Sequence, residues 1–389
     1  MRRKHLLLLL ILPVLLCSSG CGSSSSVWAN YRQLEQLQLI QTIGIDRDGA
    51  GVCLSISTGK PMEGEAPMRM SQAAPSLQLA MNRLQDYTAN ASLFYAHTRY
   101  VVIGQSAAET GIAPYLDFVE RDVAMRLSAP LFIVYDATAQ HAILNTGGEK
   151  TDITENLSAL EQDVSRQGNG HAFTCDEIAQ GLASAGSALA CAVVCVPSEE
   201  QNAGDETILP YGYGILKDGK LAGFLPGELA IGVNVLLNLG GHGDVVLQDA
   251  QGAAVTVALD TTKAGFTPVW NDDGSLQCVE VSVTARAAVT ELSKPQEITD
   301  PAYLDQLDQA LADTLRGWIE AILSQSQTLQ ADFLGIGQQI ATQSPNKWAK
   351  IRPDWNRILP ETAFRISVTG LVERTFDLQD SIGVTGGAS

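Results

Sequence analysis

The chain has 389 residues, and its 25 Lys and Arg against 43 Asp and Glu give a formal net charge of −18. That balance excludes nucleic acid and anionic lipid as electrostatically held partners, since both need clustered Lys and Arg. The length allows two to three domains.

The first thirty residues read as an address. Arg2, Arg3 and Lys4 precede an apolar run over 6–16, followed by Ser18-Ser19-Gly20-Cys21 and a Gly/Ser stretch over 22–26. A basic head and short apolar core make a secretory signal, too short for a membrane span of about 17–25 apolar residues. Small residues before Cys21 suit cleavage there and lipid attachment to the new N-terminal cysteine; Cys17 follows Leu15 and Leu16, a poor cleavage context. Ordinary secretion and a retained, uncleaved anchor are the competing readings. Residues 1–20 are thus expected as a lipoprotein signal peptide and 21–30 as a lipidated flexible tether. The anchor is then the covalent diacylglycerol at Cys21, with no other cofactor, and holds the body at the outer face of a cytoplasmic membrane.

Residues 39–46 alternate as a strand, Arg47-Asp48-Gly49 turns, and 52–57 returns as a hairpin partner. A polar loop is expected over 59–74. Leu77, Ala80, Met81 and Leu84 have helical spacing and predict a helix over 75–87. Strands over 100–104 and 131–135 alternate with helices over 112–119, 137–144, 153–164 and 175–185, and an apolar strand covers 188–196. Residues 197–208 are polar and form the best internal boundary, which divides the body into 31–200 and 208–382, with a frayed tail over 383–389. Asp218-Gly219 between short apolar runs predicts a hairpin. A helix opening at Pro226 and strands over 245–247, 253–259 and 279–289 follow. Asp300-Pro301 opens the longest helix, with Leu304, Leu307, Leu311, Leu315, Trp318 and Ile322 as its apolar stripe. Gly317 within it suggests close packing. A second helix opens at Ser344-Pro345, and Pro353 should end it before Trp355. Residues 364–376 alternate as a late strand. The irregular order of strands and helices indicates α+β domains rather than a doubly wound sheet.

No arrangement of residues nominates an active site. Neither Gly-x-Ser-x-Gly nor His-Glu-x-x-His occurs, and His97, His141, His171 and His242 are scattered. Cys53, Cys175, Cys191, Cys195 and Cys278 are odd in number. Cys191 and Cys195, about 13 Å apart in a straight strand, cannot bridge; buried free thiols are expected. His97 reads as a structural or interface residue. Glu120, Arg121, Asp122 and Arg126 read as an intramolecular ion network or a partner surface. Trp348 and Trp355 read as core or as an aromatic interface.

Several segments resemble the Ger(x)C family of spore germination proteins, the lipoprotein C subunits of nutrient germinant receptors. Cys21 stands where that family is lipidated. The stretch 35–49, ending Gly44-Ile45-Asp46-Arg47-Asp48-Gly49, is similar to its opening strand, and 94–104, with Tyr95-Ala96-His97-Thr98-Arg99-Tyr100, to its central strand entry. Residues 116–122 with Arg126 match its helix end, and Ala331-Asp332-Phe333-Leu334-Gly335-Ile336-Gly337 with Pro345, Trp348 and Trp355 its C-terminal region. Ser18 departs from the family's cleavage signal, as does a Gln-, Ala- and Ser-rich middle where relatives are rich in Lys and Glu.

The resemblance implies a mixed α/β multidomain lipoprotein without catalytic residues. It would sit on the outer face of the spore inner membrane, beside membrane-embedded A and B receptor subunits that respond to nutrients and trigger release of ions and dipicolinate. The alternative is a solute-binding lipoprotein, which requires a cleft between domains. A cell-wall hydrolase, the third class, requires two facing carboxylates.

Overall fold

A computed structural model describes residues 37–59, 66–88, 91–121, 125–147, 152–198, 206–240, 242–294 and 300–373. The signal peptide, Cys21, the tether, Asp122 and the tail over 383–389 lie outside the described residues.

Alternating apolar residues build the first sheet. After β1 (Leu37–Leu39), β2 (Thr42–Asp48) and β3 (Gly51–Ser57) form the expected hairpin, pairing Ile43 with Ile56 and Ile45 with Leu54. The segment expected as a loop over 59–74 instead ends in β4 (Arg69–Ala74), which lies antiparallel to β3. Its Arg-Met-Ser-Gln-Ala-Ala sequence has little β propensity, so pairing with a formed neighbour decides its state. Helix α1 (Leu77–Tyr87) is capped by the Ser76 side chain and buries Leu77, Ala80, Met81 and Leu84, as their spacing predicts. β5 (Ser92–Phe94) then pairs in parallel with β1.

The chain continues through β6 (Tyr100–Gly104), α2 (Gln105–Thr110), α3 (Ala113–Arg121), β7 (Leu131–Val134), α4 (Ala139–Asn145), α5 (Ile153–Gln167), α6 (Cys175–Ala185) and β8 (Ser187–Pro197). Strands β2, β6, β7 and β8 run parallel. Helices α1, α3 and α6 share one core with this centre, and α4 and α5 share another that contains Val102, Phe132 and Val134. Apolar cores on both faces are what a parallel sheet requires. The sheet is mixed at its edges and layered like an α/β unit at its centre, a feature the irregular element order conceals.

The polar segment read as a boundary joins two neighbouring strands. β8 pairs antiparallel with β9 (Glu206–Lys217), from Ser187 opposite Lys217 to Pro197 opposite Glu206. The Asp218-Gly219 turn, with both residues at positive φ (50° and 74°), leads into β10 (Lys220–Pro226), the geometry Asp-Gly favours. The eight-stranded sheet, ordered β10-β9-β8-β7-β6-β2-β3-β4, therefore extends past the expected division. Pro226 closes β10 and does not open a helix; α7 (Glu228–Leu237) starts after Gly227.

The second sheet has the order β11 (Gly243–Gln248), β12 (Ala254–Trp270), β13 (Leu276–Leu292) and β14 (Phe364–Glu373). β12 and β13 are 17 residues each, longer than their apolar alternation indicates, because the ladder continues through register shifts near Thr261. The Asn271–Gly274 turn joins them, with the Gly274 N–H donating to the Asn271 carbonyl.

Helix α8 (Pro301–Leu329) opens with the Asp300 side chain accepting the Ala302 N–H at 2.9 Å. Leu307, Leu311, Leu315 and Ile322 are buried, while Leu304 and Trp318 are half-buried. Gly317 does not mark close packing: a Cβ there would meet nothing within 4 Å. The tight glycine is Gly232 of α7, where a Cβ would lie 2.7 Å from Ile322 Cδ1 and 3.2 Å from Trp318 Cβ. Residues of α7 and α8 share one core with Tyr213, Ile215 and Leu225 of the first sheet and Val257, Val281 and Val283 of the second. Hydrophobic burial thus spans both sheets. The five cysteines are free, with Cys195 half-buried and the others buried.

Candidate functional site

The opening motif supports a helix. Asp46 is buried, its Oδ1 accepting the Ala139 N–H at 2.8 Å and its Oδ2 the Gln140 N–H at 2.7 Å. These are two donors of the first turn of α4 that the helix itself leaves unsatisfied. Burial raises the Asp46 pKa, and the two amides pull it the other way. A Cβ on Gly44 would lie 2.5 Å from Ile143 Cδ1, and one on Gly104 would overlap Asp46 Oδ1. Bare backbone at both positions lets α4 lie close against the strands. Gly-Ile-Asp is therefore an architectural motif.

The central strand entry makes a polar cluster. Arg99 stacks over the Tyr100 ring at 5.4 Å and donates to Ser158 Oγ at 3.3 Å, and the Tyr100 hydroxyl donates to Glu161 Oε2 at 2.8 Å. Arg99, Arg126, Tyr100 and Glu161 line a depression of about 200 Å³. His97 is exposed and packs against Phe94, with ring centroids 5.7 Å apart. Arg121 pairs with Asp117 one turn back at 2.8 Å, and both side chains are more than half exposed. That hydrogen bond, helped by the charges of Asp117 and Glu120, raises the Arg121 pKa. Arg126 lines that depression beside Arg99.

The C-terminal motif closes into one unit. Asp332 is 2% exposed; its Oδ1 accepts the Ile336 N–H at 2.7 Å, and its Oδ2 the Gly337 N–H at 2.7 Å and the Trp355 indole N–H at 2.9 Å. Burial raises its pKa, against the pull of these donors. Two of the donors belong to the first turn of α9 (Ile336–Gln343), so one carboxylate caps a helix and fixes the Trp355 ring. Pro345 opens α10 (Pro345–Ile351), and Pro353 lies in the single 3₁₀ turn before α11 (Trp355–Ile358), the break Pro353 predicts. Trp348 and Trp355 meet edge to face, with centroids 5.3 Å apart at 72°. Trp355 is buried and Trp348 half-buried. A Cβ on Gly337 would lie 2.5 Å from Trp348 Cη2, so the ring pair also requires glycine there.

Beside this unit opens a cleft of about 760 Å³, bordered by α6, the start of β8, the loop after α8, and the segment carrying Trp348, Arg352 and Trp355. Sequence reasoning singled out the tryptophans but not Phe173, Glu177, Arg352 or Asn356; Arg352 and Asn356 neighbour them along the chain, and Phe173 and Glu177 join them only through the tertiary fold. Both oxygens of Asp332 are committed to N–H donors, so Asp332 and Glu177 are not a facing acid–base pair. Among the described residues, no group of three or more His, Cys, Asp or Glu could hold a metal ion.

Residues 30–194 match the family described as spore germination protein N-terminal domain, and residues 211–375 the family described as spore germination B3/GerAC like, C-terminal. Spore germination protein KC of Bacillus subtilis (strain 168) is 23% identical over 401 residues, covering 96% of this chain and 97% of that protein. Spore germination protein B3 of the same organism is 24% identical over 162 residues, covering 41% of this chain and 42% of that protein. The crystal structure of the GerBC protein shares the fold with a TM-score of 0.55 at 18% identity, covering 85% of this chain and 96% of that one. With both halves matched in order and the fold shared, the chain belongs to the Ger(x)C family of spore germination proteins.

Proposed function

We propose that this protein is a lipid-anchored, non-catalytic subunit of a nutrient germinant receptor. Cys21 carries the lipid on the outer face of the spore inner membrane, and the body works through contacts with the membrane-embedded A and B subunits. The observation that carries this reading is the use made of the family's motif residues. Asp46 and Asp332 spend their carboxylates on backbone and indole donors, and Gly44, Gly104 and Gly337 make room for packing. Motifs of this kind specify a shape to be recognised. Among the described residues no helix is long and apolar enough to cross a membrane, in keeping with attachment through the lipid. Replacing Cys21 with Ala should release the protein from the membrane fraction and impair nutrient germination. Unchanged retention and germination would overturn the reading.

A second reading, a solute-binding lipoprotein, is favoured by the cleft beside Trp348. Calorimetry with germinant amino acids separates it from the first: saturable binding supports the solute-binding reading.

A further inference from the structure

The large cleft has walls of opposite charge. On one side α6 contributes Glu177, which is exposed, and its carboxy-terminal end, Ser184 to Gly186. On the other side Arg352 is exposed, with the polar side chains of Gln338 and Asn356 lining the same space. Phe173 and Trp348, both half-buried, add aromatic surface. Trp348 is steadied by its contact with Trp355, which the Asp332 carboxylate holds in turn.

Size narrows the ligand. Ligand sites of roughly 300–1,000 Å³ accept drug-sized molecules, and this cleft, at about 760 Å³, is several times larger than one free amino acid. A molecule that meets both Glu177 and Arg352 must carry a cationic and an anionic group. It also needs flat or amide-rich groups between them to meet the aromatic rings and the polar side chains.

We propose that this cleft binds a short zwitterionic peptide, its ammonium end toward Glu177 and its carboxylate toward Arg352. The inference goes beyond the receptor-subunit reading and stands or falls separately, because anchoring and partner contacts do not require an occupied cleft. Arg352 supplies a planar fork suited to a carboxylate. Glu177 already accepts the Thr174 N–H and hydroxyl through one oxygen, so its charge is held in place at the wall.

Calorimetry on the detergent-solubilised full chain tests this, using trialanine with free termini and, as control, N-acetyl-trialanine amide. Saturable heat is expected with trialanine. Binding should weaken about tenfold or more for the blocked peptide and for each of Arg352→Gln and Glu177→Gln, as loss of a charge-assisted contact implies. Gln at 177 preserves the capping box, and residue 352 is exposed, so both variants should fold; an unchanged thermal midpoint verifies it. The proposal is overturned if trialanine shows no saturable binding at millimolar concentration. It is equally overturned if the blocked peptide or either variant binds as the parent pair does.

Discussion

Asp332 joins three N–H donors drawn from two helices, and Ala at this position removes the acceptor of all three. Each buried donor left unmet costs about 1–3 kcal/mol, so Asp332→Ala should lower the unfolding free energy by about 3 kcal/mol or more, read from urea denaturation. Gly337→Ala places a methyl 2.5 Å from Trp348 Cη2 and 3.0 Å from Asp332 Oδ2. Overpacking of this kind costs about 1–3 kcal/mol, and a changed tryptophan emission should accompany the loss. A Gly337→Ala chain with unaltered stability and emission would contradict the packing described. Burial pushes the thiols of Cys175 and Cys191 up to about 12 and that of Cys195 up to about 11. Unfolded thiols ionise near ~8.5. The folded chain therefore retains protons that the unfolded chain releases, and stability falls as pH rises from about 8.5 toward the folded values. Below that range the three thiols contribute their full share. Chemical denaturation at pH 7.5, 9 and 10 should show the decline, and Ala at 175 and 191 should flatten it. The burial of Cys175 and Cys191 was legible from their apolar context, whereas Cys195 is half-buried. The partnership of Asp332 with Trp355 was not, because the two are 23 residues apart and only the fold brings them together.

Among the elements, helices with a cap and a clean apolar period were readable from sequence. α6 runs over Cys175–Ala185 as expected, with a full capping box of Thr174 and Glu177, and α8 begins at its Asp-Pro signal. Elements whose stability comes from neighbours were not readable. β4 has no strand-like sequence, and the three-residue pair β1–β5 is too short to show a period. The close approach of α7 to α8 falls at Gly232, not Gly317, because a glycine in sequence does not reveal which face of its helix is covered. One loop contact ties the end of α5 to the start of β11: Gly168 has φ +66°, and a Cβ there would overlap the His242 carbonyl. Beside it Asn234 of α7 donates to the Gly168 and Gly170 carbonyls at 2.7 and 3.0 Å and accepts from the Tyr213 hydroxyl. Gly168→Ala combines backbone strain of about 1–3 kcal/mol with a backbone clash. A marked fall in thermal midpoint is expected, and an unchanged midpoint would contradict the contact.

For the whole molecule, motif order was enough to indicate a mixed α/β member of this family, but not how its sheets run along the chain. The polar stretch near residue 200 looks like a linker, yet β8 and β9 on either side of it are neighbours along their whole length. The two family matches, 30–194 and 211–375, meet at that stretch, while the first sheet runs across it to β10 and α7 and α8 share one core with both sheets. A chain ending at residue 200 would lose β9 and β10 and leave β8 as a bare edge, a known route to aggregation. It should be recovered as insoluble or expanded material in size-exclusion chromatography, whereas a compact monomer would contradict the role of β9 in completing the sheet. A single core spanning both sheets suits a body that presents one shape to its partners. Crosslinking dormant spores and purifying the full chain from their inner membranes tests that account most directly. Recovery of the membrane-embedded receptor subunits in covalent complex with this protein is the expected result. Recovery of the protein from the membrane without either subunit would contradict it.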